Sequence, residues 1–392
     1  MPEPDHKLCS YPFVSLCLVA LFGFGNIAVF YGFHPYLLSI GIAPFWAGWL
    51  LALEPLAALV LRPVISPWLG AGNALPVMRA SLVLIGLSLL AYPLAQTTPL
   101  LAALRVVHGA AFVALVSATT ALLVHFVPPR KSGQAFGLFS LTTQLPFALM
   151  PPLTEFLLGH VANAAQAYAW MALMILPALG LLIPLGPVAR GLAAHARDNA
   201  RPGLADIGQT LNRDGVSRML GASLLVFLGS TLLFFFMKDV GTRLGLTNAG
   251  LFFTVSTGAT ILVRAGGSAL FDRLDKRRTL GTALLLLATC QAAFGLVRTP
   301  SAFLAVAAVF GGCMGVALPL VQSLLFLAAD PSRRGLTANL MLSTMDAGYV
   351  LGPWAGGMIL AAGLSHAALF GLAAVMSLGA CGLIACTSLE HP

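Results

Sequence analysis

Long apolar runs, separated by short polar stretches, follow one another along the whole chain. A helix that crosses a membrane needs about 20 mostly apolar residues. On that criterion the pattern predicts helices over residues 11–38, 46–69, 77–96, 99–127, 134–158 and 166–187, and then over 219–241, 249–271, 279–297, 301–328, 336–362 and 366–388. The period-2 alternation of half-buried strands is not what the runs show. Glycine and proline recur inside them, which membrane helices tolerate because neighbouring helices and water re-satisfy the freed backbone groups. The first run is too long for a signal-peptide core and has no small-residue cleavage site after it, so it is expected to stay as a helix.

The pattern also repeats. Displaced by about 202 residues, the second half lies over the first: Arg62 on Arg264, Ser66 on Ser268, Gly109 on Gly311, Gly133 on Gly335 and Pro151 on Pro353. Displaced by about 204, Gly25 meets Gly229, Tyr31 meets Phe235, His34 meets Lys238 and Gly41 meets Gly245. Two similar six-helix halves in one chain are a transporter arrangement, with substrate sites where membrane repeats face each other. The expected organisation is an all-α membrane protein: a first six-helix bundle over 1–187, a linker over 188–218, and a second bundle over 219–392.

Composition sharpens this. The 392 residues are 58% hydrophobic and 9% charged, and the mean hydropathy is +0.91. Soluble domains carry about 25% charged residues, so lipid must be the solvent for most of the surface. The net charge of +8 would suggest nucleic acid in a soluble protein. Here the basic residues sit between helices. With the N-terminus inside, the inner segments collect Lys7, Arg79, Arg130, Lys131, Arg190, Arg197, Arg201, Arg213, Arg218, Arg273, Lys276, Arg277, Arg278, Arg333 and Arg334, against Lys238, Arg243 and Arg298 outside. The positive-inside rule then places both termini in the cytoplasm of a plasma (inner) membrane protein, with lipid contact rather than nucleic acid accounting for the charge.

Other chemistries lack their residues. The six cysteines, Cys9, Cys17, Cys290, Cys313, Cys381 and Cys386, form no close-spaced zinc or redox pair. The sequence contains no HExxH, no GxxxxGK[ST] and no GxSxG. No enzyme activity, metal or cofactor is therefore expected. The polar linker is read as a connector with a short surface helix at 204–211, without a catalytic domain.

What remains is charge inside the spans. Placing a charge at the centre of a membrane helix costs about 2.5–3.5 kcal/mol on insertion scales, so such residues face a bundle interior or an aqueous cavity. Glu54 and Arg62 in helix 2 lie i, i+8, on one side and about 12 Å apart. Arg105 is in helix 4, Glu155 nearer the outer end of helix 5, Arg264 in helix 8 and Asp346 near the middle of helix 11, opposite Gln144 in the repeat. Glu54 and Asp346 are the candidates for carrying a proton or a substrate charge, with Arg105 tuning them or binding an anionic group. Arg62 and Arg264 are expected to tie helix ends at an inner gate.

Several motifs resemble one family, the major facilitator superfamily. The loop after helix 8, Gly266 to Arg278, reads GGSALFDRLDKRR. It is similar to that family's Gly-x-x-x-Asp-Arg-x-Gly-x-Arg-Arg signature, with Ser268 where a glycine is expected and Asp275 in place of the second glycine. The matching loop after helix 2 lacks the acid and the basic cluster. Arg105-Val-Val-His-Gly109 is similar to the family's helix 4 element. Helix 11 carries Gly348-Tyr-Val-Leu-Gly352-Pro353-Trp-Ala-Gly356-Gly357, which resembles the antiporter pattern, although in the family it belongs to helix 5.

The resemblance implies alternating access, with helices 1, 4, 7 and 10 lining a central cavity. Asn26, Tyr31, His34, His108, Gln144, Ser230, Phe234 and Gln322 then become cavity candidates, and Asp272 and Arg273, with Gly352 and Pro353, become gate and hinge candidates. The expected function is a secondary transporter of a small organic molecule, proton-coupled, with efflux by antiport as the first reading. A drug, a metabolite or a siderophore-like compound would fit. A proton-coupled importer is the alternative within transport, and a non-transporting receptor the alternative from another class. Two halves in one chain already supply an interface, so a monomer suffices.

Overall fold

The computed structural model describes residues 10–65, 68–70, 72–127, 132–193, 204–271, 274–330 and 334–387. Among these residues the regular structure is all helical. We label the long helices α1 (Tyr11–Ser39), α2 (Pro44–Ile65), α3 (Ala74–Leu94), α4 (Thr98–Phe126), α5 (Ser132–Leu158), α6 (Ala164–Leu181), α7 (Asp214–Arg243), α8 (Leu251–Phe271), α9 (Lys276–Ala293), α10 (Pro300–Ala328), α11 (Arg334–Ala361) and α12 (His366–Ala385). Two short helices, Leu185–Ala193 and Leu204–Leu211, lie between α6 and α7. Eight of the twelve are long and apolar enough to cross a membrane by length and composition alone. Of the other four, α5, α9 and α11 are diluted by glycine, proline, threonine or terminal charges, and α8 has a shorter described apolar stretch, Leu251–Gly266.

Helix ends follow local chemistry. Asn163, Asp275 and Thr299 cap α6, α9 and α10, each accepting a backbone N–H of the first turn, from Gln166, Arg278 and Ala302. At the far ends of α1, α7 and α11 the chain leaves through a left-handed glycine: Gly41 and Gly245 both at φ 82°, and Gly363 at 77°. Each ends its helix with a paired bond set. At the first, Gly41 N–H reaches Leu38 O and Ile42 N–H reaches Leu37 O; at the second, Gly245 reaches Thr242 and Leu246 reaches Gly241. Gly41 and Gly245 are the pair aligned by the sequence repeat, so the repeat extends to the backbone of the cap.

The chain divides into two compact units. One holds Met1–Phe30 and Ala57–Asn199, the other Tyr31–Leu56 and Ala200–Pro392. The division in α1 falls at its tighter turn, Val29–Gly32. Within the first unit α1 packs on α4 and α5, and α3 on α4 and α6. Within the second, α7 packs on α10 and α11, and α9 on α10 and α12. These are the same neighbour relations six helices apart.

Basic residues at the polar ends repeat as well. Arg79 of α3 donates to the carbonyl of Leu182, just past α6, at 3.0 Å. Arg277 of α9 donates to the carbonyl of Ala385, which ends α12. Arg218 of α7 donates to the next carbonyl, Cys386. A cation on unpaired carbonyls at a helix C-terminus satisfies acceptors and complements the helix dipole. Basic residues therefore close helix ends in both units.

Glycines set the tightest crossings. Thr260 of α8 donates its hydroxyl to the Gly311 carbonyl of α10 at 2.7 Å, and a Cβ at Gly315 would stand 3.0 Å from the Thr260 carbonyl. On α11, Gly348 rests against Phe227 and Leu228, Gly352 against Thr231 and Gly356 against Phe236, all of α7. Thr231 donates to the Gly348 carbonyl at 2.8 Å. The Gly-x-x-x-Gly stripe of α11 is thus a packing seam that lets two helix backbones approach.

Candidate functional site

α2 and α11 cross within the second unit. A Cβ built on Gly48 would stand 2.9 Å from the Cα of Gly357 and 3.3 Å from the carbonyl of Pro353, so the two backbones touch where neither residue has a side chain. Trp49 and Trp354 meet edge to face beside them, with ring centroids 5.9 Å apart. Glu54 lies about 9 Å further along α2 from this crossing, and Tyr349 about 12 Å back along α11. Asp346 is one helical turn before Tyr349 and so shares its face.

Both carboxyls are buried, each 5% exposed. Both act electrostatically on the Tyr349 hydroxyl, so Glu54, Tyr349 and Asp346 form one group. The two acids singled out in the sequence thus both lie within electrostatic range of one tyrosine. Two buried carboxyls beside a partly exposed phenol are able to hold and pass a proton.

Arg105 belongs to the first unit. It is fully buried, with its guanidinium 5.0 Å from the centre of the Phe30 ring, a favourable place for a cation. Phe30 in turn packs on Tyr92, His108 and Tyr168. His108 Nε2 lies 2.6 Å from Asn26 Oδ1 and Nδ1 lies 3.5 Å from the Tyr92 hydroxyl. An amide oxygen only accepts, so His108 carries its proton on Nε2. The Asn26 amide donates to the Gly23 carbonyl. Asn26, His108 and Arg105 therefore sit in one buried polar and aromatic cluster built from α1, α3, α4 and α6.

In the second unit, Tyr31 packs on Phe253 and takes the Lys238 ammonium 5.3 Å from its ring centre. Phe234 also packs on Phe253. Ser230 donates to the Val226 carbonyl at 2.8 Å and faces the Met314 sulfur at 3.3 Å. His34 is buried against Asp239. Gln322 is exposed and Gln144 partly exposed. Arg62 is buried and Arg264 partly exposed. Gly352 serves the α7 seam, and Pro353 sits inside α11 without ending it. Asp272 and Arg273 lie outside the described residues.

Two residues escape sequence reasoning. Tyr349 is concealed within a glycine motif, and its signal was the i, i+3 spacing from Asp346. Asp239 lies near the end of α7, where an acid ordinarily meets water. The repeat match of His34 with its neighbour Lys238 was the available clue.

Comparison with known proteins agrees with this architecture. The family model for the Major Facilitator Superfamily matches residues 15–213 and 219–392. Among solved structures, the nucleoside transporter NupG superposes with a TM-score of 0.77 at 10% identity, covering 95% of this chain and 98% of that one. A bacterial homologue of the human lysosomal transporter Spinster, in an inward-facing and unoccupied conformation, gives 0.67 at 14% identity, covering 98% and 95%. Among curated proteins no sequence match is found.

Proposed function

Because the chain belongs to the major facilitator superfamily and is a multi-pass membrane transporter, we propose that it works as a proton-coupled antiporter, exporting a small organic molecule by alternating access. The observation that carries this reading is the Glu54–Tyr349–Asp346 group, two buried acids acting on one phenol where α2 and α11 run together. Glu54 and Asp346 take up and release the proton, and Tyr349 relays between them. The aromatic and polar cluster around Arg105 and His108 serves the substrate side, and the direction is efflux. The two six-helix bundles rock about the linker, with both termini in the cytoplasm of the inner membrane. One copy of the chain is sufficient.

Vesicles carrying the protein test this. Their lumen is acidified and followed with a pH-sensitive dye, while small metabolites, nucleosides included, are added outside one at a time. An exchanged compound makes the lumen alkaline with the wild type and leaves it unchanged with Glu54→Gln. A compound that enters together with protons moving the same way would instead make the protein an importer. Absence of any proton movement across a broad panel would contradict coupling.

A further inference from the structure

We propose that His34, Asp239 and His366 form a second proton-binding site, separate from Glu54–Tyr349–Asp346, which ties the end of α1 to α7 and α12. His34 lies beyond the tight turn of α1 and is 1% exposed. Its Nδ1 is 3.2 Å from Asp239 Oδ2. His366, the first residue of α12, places Nε2 3.8 Å from the same oxygen. One carboxylate oxygen of α7 thus takes a hydrogen bond from α1 and faces, beyond hydrogen-bond distance, a His366 Nε2 that has no hydrogen-bond partner.

The proton positions follow from the partners. Arg243 Nη1 lies 3.3 Å from His366 Nδ1. A guanidinium only donates, so Nδ1 is the lone pair and the His366 proton is on Nε2, directed at Asp239. His34 Nδ1 faces a carboxylate and must likewise be the donor. That leaves Nε2 of His34 as a lone pair, and it is buried with no hydrogen-bond partner. The cluster therefore has one vacant place for a proton, on an imidazole already bonded to a carboxylate. Filling it turns a hydrogen bond from a neutral imidazole to the Asp239 carboxylate into an ion pair between imidazolium and carboxylate.

The surrounding charges leave that place available. Lys238 of α7 is drawn to the Tyr31 ring and lies beside Gly32. Arg243 is engaged by His366. From α1, Tyr36 packs on Phe33, and from α7 the Phe236 ring meets the His34 imidazole edge-on at 4.8 Å. On the topology proposed above this is the outer face. A proton arriving from outside binds His34 Nε2 and tightens the tie, and at higher pH the proton leaves and the tie loosens. Histidine is the side chain that ordinarily changes charge between about pH 5 and 8.

The test is the distance between spin labels at Leu38 and Leu296, both exposed, in the full-length protein in lipid nanodiscs with its six cysteines replaced by serine. In the otherwise unaltered protein the distribution at about pH 5.5 is expected to be narrow and short, and to shift to longer separations at about pH 7.5. His34→Gln keeps a donor to Asp239 but takes no proton, so its distributions should coincide at the two pH values. Asp239→Asn, as a second variant, should also remove the response. Glu54→Gln should retain it, which separates this site from the carboxylate group. The proposal is overturned if the unaltered protein shows no pH response, if His34→Gln and Asp239→Asn keep it, or if Glu54→Gln alone removes it.

Discussion

At the scale of single residues, function converges on groups that are costly to bury. Glu54 and Asp346 stand inside helices where a charge costs about 2.5–3.5 kcal/mol, and both act on Tyr349. Glu54→Gln and Asp346→Asn keep shape and hydrogen bonding while removing the titratable proton. Each is expected to reduce proton-linked flux to the level of vesicles lacking the protein, without lowering the melting temperature in detergent. Tyr349→Phe should retain part of the flux, since both acids remain in place, and vesicle flux measurements check this. Full coupling in both acid variants would sink the role assigned to them. The two acids were readable in the sequence because a charge in mid-span stands out against apolar neighbours. Tyr349 was not, because an aromatic residue in an apolar helix is ordinarily packing. Asp239 was not, because nothing in its own neighbourhood announces that two histidines distant in sequence converge on it.

At the scale of helices, the sequence was most informative where span length and end chemistry agree. The short linker helix Leu204–Leu211 lies at the residues where a surface helix was expected. The matched glycines Gly41 and Gly245 end their helices with the same positive φ. The antiporter-like glycines of α11 were readable as a close approach, but their partner was not, since the pattern is silent on which helix it meets. The structure gives α7 for Gly348, Gly352 and Gly356, and α2 for Gly357. Gly352→Ala would drive a methyl group into Thr231, costing about 1–3 kcal/mol as overpacking, whereas Gly371→Ala, which meets open space, should be close to neutral. Thermal melts of the two variants compare them directly, and equal midpoints would refute the seam.

Asp275 explains a departure from the family loop signature: where a glycine is expected, an N-cap stands at the start of α9. The Arg278 backbone N–H, with the neighbouring arginines, holds its carboxyl below the ordinary value. A depressed carboxyl contributes stability above its unfolded value and loses it as pH falls through the folded one. Hydrogen exchange at the Arg278 amide should therefore be slow near neutrality and speed up in acid beyond the intrinsic trend. In Asp275→Ala it should be fast at both. Unchanged protection in that variant would show that the cap is not made.

At the scale of the whole molecule, a hydrophobic chain with few charges left little freedom in fold class. The repeat was visible because glycine, proline and arginine recur at fixed displacement. A like contact recurs in each half, Arg79–Leu182 and Arg277–Ala385, although the two arginines do not themselves stand at the fixed displacement. The superfamily match spans nearly the full chain, and the solved relatives share its architecture at identities too low to carry a substrate. The substrate was not readable because cavity-lining positions in apolar helices use the same residue types as packing positions. Direction was not readable because alternating access is symmetric with respect to it.

The most direct test of the account is a comparison of metabolites inside and outside cells that make the wild type, make Asp346→Asn, or lack the protein. Export coupled through the acid pair predicts a compound enriched outside only with the wild type, with the other two cells alike. Identical profiles in all three, with both proteins shown to reach the membrane, would contradict it.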